Sequence, residues 1–124
     1  MKGKGRFSWR TRGRSFKYAF AGLGVLMGEH NAWIHCCAAV IAVAAGFLLK
    51  ISSGEWYAII ICIGMVLAAE AFNTAIEAVC DHVSEEYAPL IKRAKDVAAA
   101  GVLILAIATV IIGAIIFLPK IICI

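Results

Sequence analysis

The chain has 124 residues, 63% of them hydrophobic and 16% charged, with a net charge of +4. A single domain of this length leaves much of its surface exposed, so a water-soluble fold is excluded as a home for that much apolar surface. The bilayer must serve as solvent for part of the chain.

Residues 1–13 are basic and glycine-rich and read as a loose tail. Over 15–28, Phe16, Ala19, Phe20, Leu23 and Met27 recur at helical spacing, with Arg14 and Lys17 flanking the start of the stripe. The pattern predicts an amphipathic helix lying on the membrane surface, although Gly22, Gly24 and Gly28 weaken it. Three apolar segments follow, each close to the roughly 20 residues a span requires. Ala32–Leu49 is apolar apart from His35. Trp56–Cys80 begins at an aromatic pair, Trp56 and Tyr57, placed as at a membrane interface. Val97–Leu118 carries no charge. Ser52-Ser53-Gly54 reads as the turn between spans one and two. The polar segment Asp81–Asp96 joins spans two and three, Asp96 is expected to cap the third helix, and Pro119 to end it. All five cysteines read as small apolar filler, since none forms a C-x-x-C pair.

Charge placement predicts the orientation. Of the 12 Lys and Arg residues, seven lie in the first 17 positions, three (Lys92, Arg93 and Lys95) lie between spans two and three, and Lys50 and Lys120 lie on the opposite side. The positive-inside rule then puts the N-terminus in the cytoplasm. The basic segment reads as a topology signal that also touches anionic lipid, and no nucleic-acid partner is expected.

Glu70, Asn73, Thr74, Glu77 and Asp81 in and after the second span fall on one helical face. Carboxylates are costly inside a bilayer, about 2.5–3.5 kcal/mol for Asp at a helix centre, and are functional by default there. A single Glu could serve as a packing hydrogen bond; five aligned polar groups need another reason. Seven residues of rise set Glu77 about 10 Å nearer the cytoplasm than Glu70. Glu70 thus lies at the depth of a lipid headgroup, and Glu77 and Asp81 where a soluble nucleotide arrives. Magnesium prefers carboxylate and phosphate oxygens, and Glu29, before the first span, adds another carboxylate on that side. Lys95 opens span three there, where a cation and a helix N-terminus both favour phosphate. No phosphate-binding glycine loop of the common soluble types occurs.

The run Glu70-x-x-Asn73-Thr74-Ala75-Ile76-Glu77-x-x-x-Asp81, followed by Tyr87 and Ala94-Lys95-Asp96-x-Ala98-Ala99, resembles the bacterial integral-membrane diacylglycerol kinase family. Ser15–Phe20, Glu29-x-Asn31, Ile34-His35, Glu55-Trp56, Pro89-Leu90 and Ile116–Lys120 look like its undecaprenol kinase branch. The resemblance covers nearly the whole chain from Ser15 to Pro119. It implies an all-α membrane protein with three transmembrane helices and a surface helix, one lipid kinase domain over 1–124. It also implies a homotrimer in a bacterial cell membrane, with active sites shared between subunits, and ATP and Mg2+ as donor and cofactor. By carry-over Glu70 is the general base, and Glu29 and Glu77 hold magnesium. Tyr18, Glu29, Glu77, Glu86, Tyr87, Lys95 and Asp96 bind the nucleotide. Asn73 and Asp81 support the site, and Ala99 joins Glu70 at the lipid substrate. The sequence departs from the family pattern at Trp33, Ala88 and Ala100, where a basic residue, a polar residue and glycine are expected.

The expected reaction is phosphorylation of a lipid alcohol, undecaprenol first and diacylglycerol as the alternative. A reading from a different class, a small oligomeric proton or cation channel, has against it that the stripe runs out to the cytoplasm instead of crossing the bilayer.

Overall fold

The computed structural model describes residues 7–83 and 88–123. These form four helices: α1 (Trp9–Leu26), α2 (His30–Leu48), α3 (Ser53–Val83) and α4 (Pro89–Ile122). Helices α2, α3 and α4 are each long and apolar enough to cross a membrane, with mean hydropathies of 1.8, 2.0 and 3.0. Their outward faces carry large apolar side chains such as Val40, Phe47, Ile60, Val110 and Ile115, as expected where lipid replaces water.

Helix α1 starts six residues before its predicted start, inside the segment read as a loose tail. Ser8 supplies the reason: its hydroxyl accepts from the Thr11 N–H at 3.4 Å and its carbonyl from the Arg12 N–H at 3.0 Å, capping the helix N-terminus. Phe7 packs edge-on against Trp9 at 4.9 Å, and the Arg12 guanidinium sits over the Phe7 ring. Helix α1 ends at Leu26 and α2 starts at His30, so the turn between them is tight. The Trp33 indole N–H spans that turn and donates to the Met27 carbonyl at 2.6 Å.

At the far end of α2, the Ile51 N–H closes back on the Gly46 carbonyl at 3.1 Å, across Lys50 in the left-handed region at φ 52°. This is the closing bond of a Schellman motif. Ser52 and Glu55 then cap α3 reciprocally: the Glu55 N–H donates to the Ser52 hydroxyl at 3.2 Å, and the Ser52 N–H to the Glu55 carboxylate at 2.9 Å. The other Glu55 oxygen accepts from Lys120 in the last turn of α4 at 3.0 Å. This ties the start of α3 to the end of α4.

Between these caps lies the core. Ile51, Ile59 and Ile116 are buried against Ala42, Leu49, Trp56, Ile112 and Phe117. Tyr57 is exposed as the interface reading expects, but Trp56 turns inward against Phe47, with ring centroids 4.9 Å apart. Gly46 makes that turn possible, because a Cβ there would lie 2.7 Å from the Trp56 ring and 3.1 Å from Ile51. A Gly46→Val variant should lose about 1–3 kcal/mol through overpacking. Thermal unfolding in detergent measures this, and an unchanged midpoint would show that the α2–α3 junction is looser than it stands here.

Helix α4 corrects two expectations. It begins at Pro89, not near Val97, so Asp96 lies two turns inside it and Ala88 holds the N-cap position without a side-chain cap bond. Proline suits a first helical position, where its missing N–H has no partner to lose. Pro119 does not end the helix, which continues to Ile122; the Cys123 N–H closes onto the Pro119 carbonyl at 3.1 Å. At 31 and 34 residues, α3 and α4 are about 46 and 51 Å long, well beyond a hydrocarbon core of roughly 30 Å. Glu77, Asp81, Lys92 and Lys95 lie in the adjoining end turns of these two helices. All five cysteines are free, with Cys62 and Cys80 buried and the others partly or fully exposed.

Candidate active site

The polar stripe of α3 is graded from buried to exposed. Glu70 is 2% exposed and Asn73 4%, both buried among helices. Thr74 is half-buried, and Glu77 and Asp81 are exposed. One turn links each step: the Asn73 side-chain amide donates to the Glu77 carboxylate at 2.6 Å. Past Glu77, Asp81 accepts from Lys95 of α4 at 2.8 Å. The stripe therefore forms a path of charge from the helix interior to the end where α3 and α4 extend beyond the apolar core.

Among the described residues, two buried oxygens on this path have no hydrogen-bond partner, Glu70 Oε1 and Asn73 Oδ1. A buried orphan acceptor costs about 1–3 kcal/mol, and such groups persist where a ligand or a chemical step uses them. Across from Glu70 Oε1, at 3.6 Å, stands the His35 Nε2 of α2. His35 is a neighbour of Glu70 that lies outside the site residues expected from the sequence. Its signal was present: it is the one polar interruption of the first span.

The remaining predicted residues take varied places. Tyr18 is exposed on α1 and Glu29 is exposed at the N-cap of α2. Asp96 is exposed and pairs with Lys92 one turn earlier at 2.6 Å, not with the stripe. Ala99 is exposed on α4. Among the described residues, Tyr18, Glu29 and Ala99 make no hydrogen bond or ion pair with α3. Glu86 and Tyr87 lie outside the described residues. Helix α1 nonetheless lies across α3 beside the stripe, with Ala19, Gly22, Leu23 and Leu26 facing Ala71, Thr74, Ala75 and Ala78 around a shared groove.

Among the described residues, no three His, Cys, Asp or Glu side chains gather into a metal-holding group. A magnesium ion that travels with a nucleotide needs fewer, commonly one or two carboxylates with phosphate and water completing its shell. An exposed Glu77 beside the orphaned Asn73 oxygen fits that kind of donor set.

Such a site, a buried carboxylate on one helical face with exposed carboxylates and a lysine paired to the last of them, suits transfer of a charged group onto a membrane-embedded acceptor. The profile of the prokaryotic diacylglycerol kinase family matches residues 17–117. The chain belongs to that family. It is 40% identical over 111 residues to the undecaprenol kinase of Bacillus subtilis, covering 86% of this chain and 90% of that one. It is 37% identical over 107 residues to a diacylglycerol kinase of Synechocystis, covering 85% of this chain and 61% of its relative. The diacylglycerol kinase of Escherichia coli K12 is 37% identical over 91 residues, 68% of this chain and 75% of that one. The protein is thus a membrane lipid kinase.

Proposed function

We propose that the protein transfers the γ-phosphoryl group of ATP to the hydroxyl of undecaprenol, at the cytoplasmic face of a bacterial cell membrane. The observation that carries the reading is the buried Glu70 carboxylate, whose Oε1 has no hydrogen-bond partner among the described residues, at the inner end of an acidic stripe. The similarity to an undecaprenol kinase over 90% of that protein's length favours undecaprenol as acceptor. Diacylglycerol remains the second acceptor, because other relatives carry that name.

In this mechanism Glu70 takes the proton of the lipid hydroxyl as its oxygen attacks the γ-phosphorus, and ADP leaves. Lys95 shares its charge between Asp81 and the phosphates, and Tyr18, Glu86, Tyr87 and Asp96 contact the nucleotide. Glu77 and Glu29 hold magnesium, with Asn73 fixing Glu77 through their hydrogen bond. Magnesium supplies neutralisation of phosphate charge. The protein's own share is positioning and electrostatics, the main sources of rate in phosphoryl transfer. Ala99, exposed on α4, borders the lipid. The active protein is a homotrimer in which Glu29 of one subunit completes the stripe of its neighbour, a reading consistent with the lack of any bond between Glu29 and α3 within one chain. The N-terminus is cytoplasmic by the distribution of Lys and Arg.

Initial rates with undecaprenol and diacylglycerol in matched micelles test the acceptor. A higher kcat/KM for undecaprenol is expected, and a preference for diacylglycerol would reassign the substrate. Magnesium titration tests the metal ligands. Glu77→Gln should raise the magnesium midpoint and weaken nucleotide binding, because an amide holds a hard cation less well than a carboxylate. Glu29→Gln should shift the midpoint in the same direction, and an unmoved midpoint would remove the residue from the metal shell.

A further inference from the structure

We infer that His35 is the positioning residue of the general base: its imidazole, reaching from α2, orients the Glu70 carboxylate so that one oxygen faces the lipid hydroxyl. The inference rests on the reading of Glu70 as the base and adds a residue to that reading.

Three observations converge on it. Glu70 Oε1 is fully buried and has no hydrogen-bond partner among the described residues. His35 Nε2 lies 3.6 Å from that same oxygen. His35 is itself four-fifths buried and stands on the wall of a cavity of about 140 Å3, lined mostly by apolar groups such as Ala38, Cys62, Val66 and Leu67, with Thr109 the other polar residue. An imidazole in such surroundings would normally turn its polar edge to a partner, and the Glu70 carboxylate, 3.6 Å away, is the acidic group facing it among the described residues.

At 3.6 Å the pair is slightly longer than a hydrogen bond. Hydrogen bonds of catalytic groups are often long before substrate arrives and shorten in the reacting complex. With its proton on Nε2, His35 donates to Oε1. A carboxylate free to rotate about its last torsion would present the hydroxyl with a changing direction of approach; a donor on one oxygen removes that freedom. The other oxygen then receives the proton from the lipid hydroxyl. The same contact offsets part of the cost of keeping a carboxylate in the apolar interior. The arrangement unites two helices at the site, since His35 is on α2 and Glu70 on α3.

The test compares purified full-length wild type, His35→Leu, His35→Gln, His35→Asn, Glu70→Gln and the double variant Glu70→Gln/His35→Leu. Each is assayed in micelles with saturating undecaprenol and varied ATP, with circular dichroism as the folding control. His35→Leu should lower kcat about 100-fold, the scale of an ångström's misplacement of a reacting group, with the KM for ATP unchanged. His35→Gln retains an N–H donor of similar reach and should recover most of the lost kcat, whereas His35→Asn, one bond shorter, should not. The double variant should be no slower than Glu70→Gln alone, because a residue acting through another has nothing left to position. If His35→Leu fails to fold, His35→Asn takes its place in the single and double variants.

Full kcat in His35→Leu beside an inactive Glu70→Gln would overturn the role of His35 and leave the base intact. A double variant slowed by a further 100-fold would show that His35 acts independently of Glu70 and would also overturn it. Normal turnover in Glu70→Gln would overturn the base and this inference with it.

Discussion

A Glu70→Gln protein is expected to fold normally and to turn over about 10²–10⁴-fold more slowly, the usual cost of losing a general base. The amide keeps the shape of the carboxylate but cannot accept the hydroxyl proton. The same change removes a charge from a site that is 98% buried, by the 2% exposure of Glu70. Because burying a charge is costly, the variant should be as stable as wild type or more so, as happens when a group is kept for activity at the expense of stability. Measuring turnover and thermal unfolding on the same preparation separates the two roles. A structural Glu70 would give loss of stability with activity falling only in proportion; near-normal turnover would remove it as base.

The second large effect is recovery from two inactive proteins. Glu29→Gln and Glu70→Gln subunits should each be close to inactive alone and should regain activity when exchanged into mixed oligomers. Within one chain, Glu29 sits exposed at the start of α2 and makes no bond to the buried stripe of α3. A neighbour's Glu29 brought to that stripe would give some sites both intact carboxylates. Random mixing of subunits in equal amounts predicts a substantial fraction of wild-type activity, against almost none in either parent. Mixed oligomers, verified by differential tags, that stay inactive while wild-type subunits survive the same exchange would put each site within one chain.

How much of this was legible in the sequence depends on the distance over which each feature is encoded. The spans are local: about 20 consecutive apolar residues suffice, and α2, α3 and α4 lie where hydropathy puts them. Their ends were less legible, because hydropathy marks where lipid ends and not where the helix ends. Asp81 and Asp96 bound a polar segment that reads as loop, yet most of it is helix running beyond the apolar core, and Pro89 in the first turn was the better signal for the start of α4. Ser8 likewise caps α1 inside a segment whose glycines and arginines suggest disorder. The stripe was readable because its spacing lies within one helix, and its bonds from Asn73 to Glu77 follow from that spacing. The pairs that cross between helices, His35 with Glu70 and Lys95 with Asp81, depend on how α2 and α4 pack against α3. No periodicity in one segment encodes that. The inward turn of Trp56 onto Gly46 is hidden for the same reason.

The most direct measurement of the central claim uses the wild-type protein in sealed vesicles containing undecaprenol, supplied with ATP labelled at the γ-phosphate, together with magnesium. The account predicts that the label moves into the lipid phase as undecaprenyl phosphate while an imposed proton gradient holds. Vesicles that gain no labelled lipid and lose the gradient would contradict it, and would make the acidic stripe of α3 the lining of a channel.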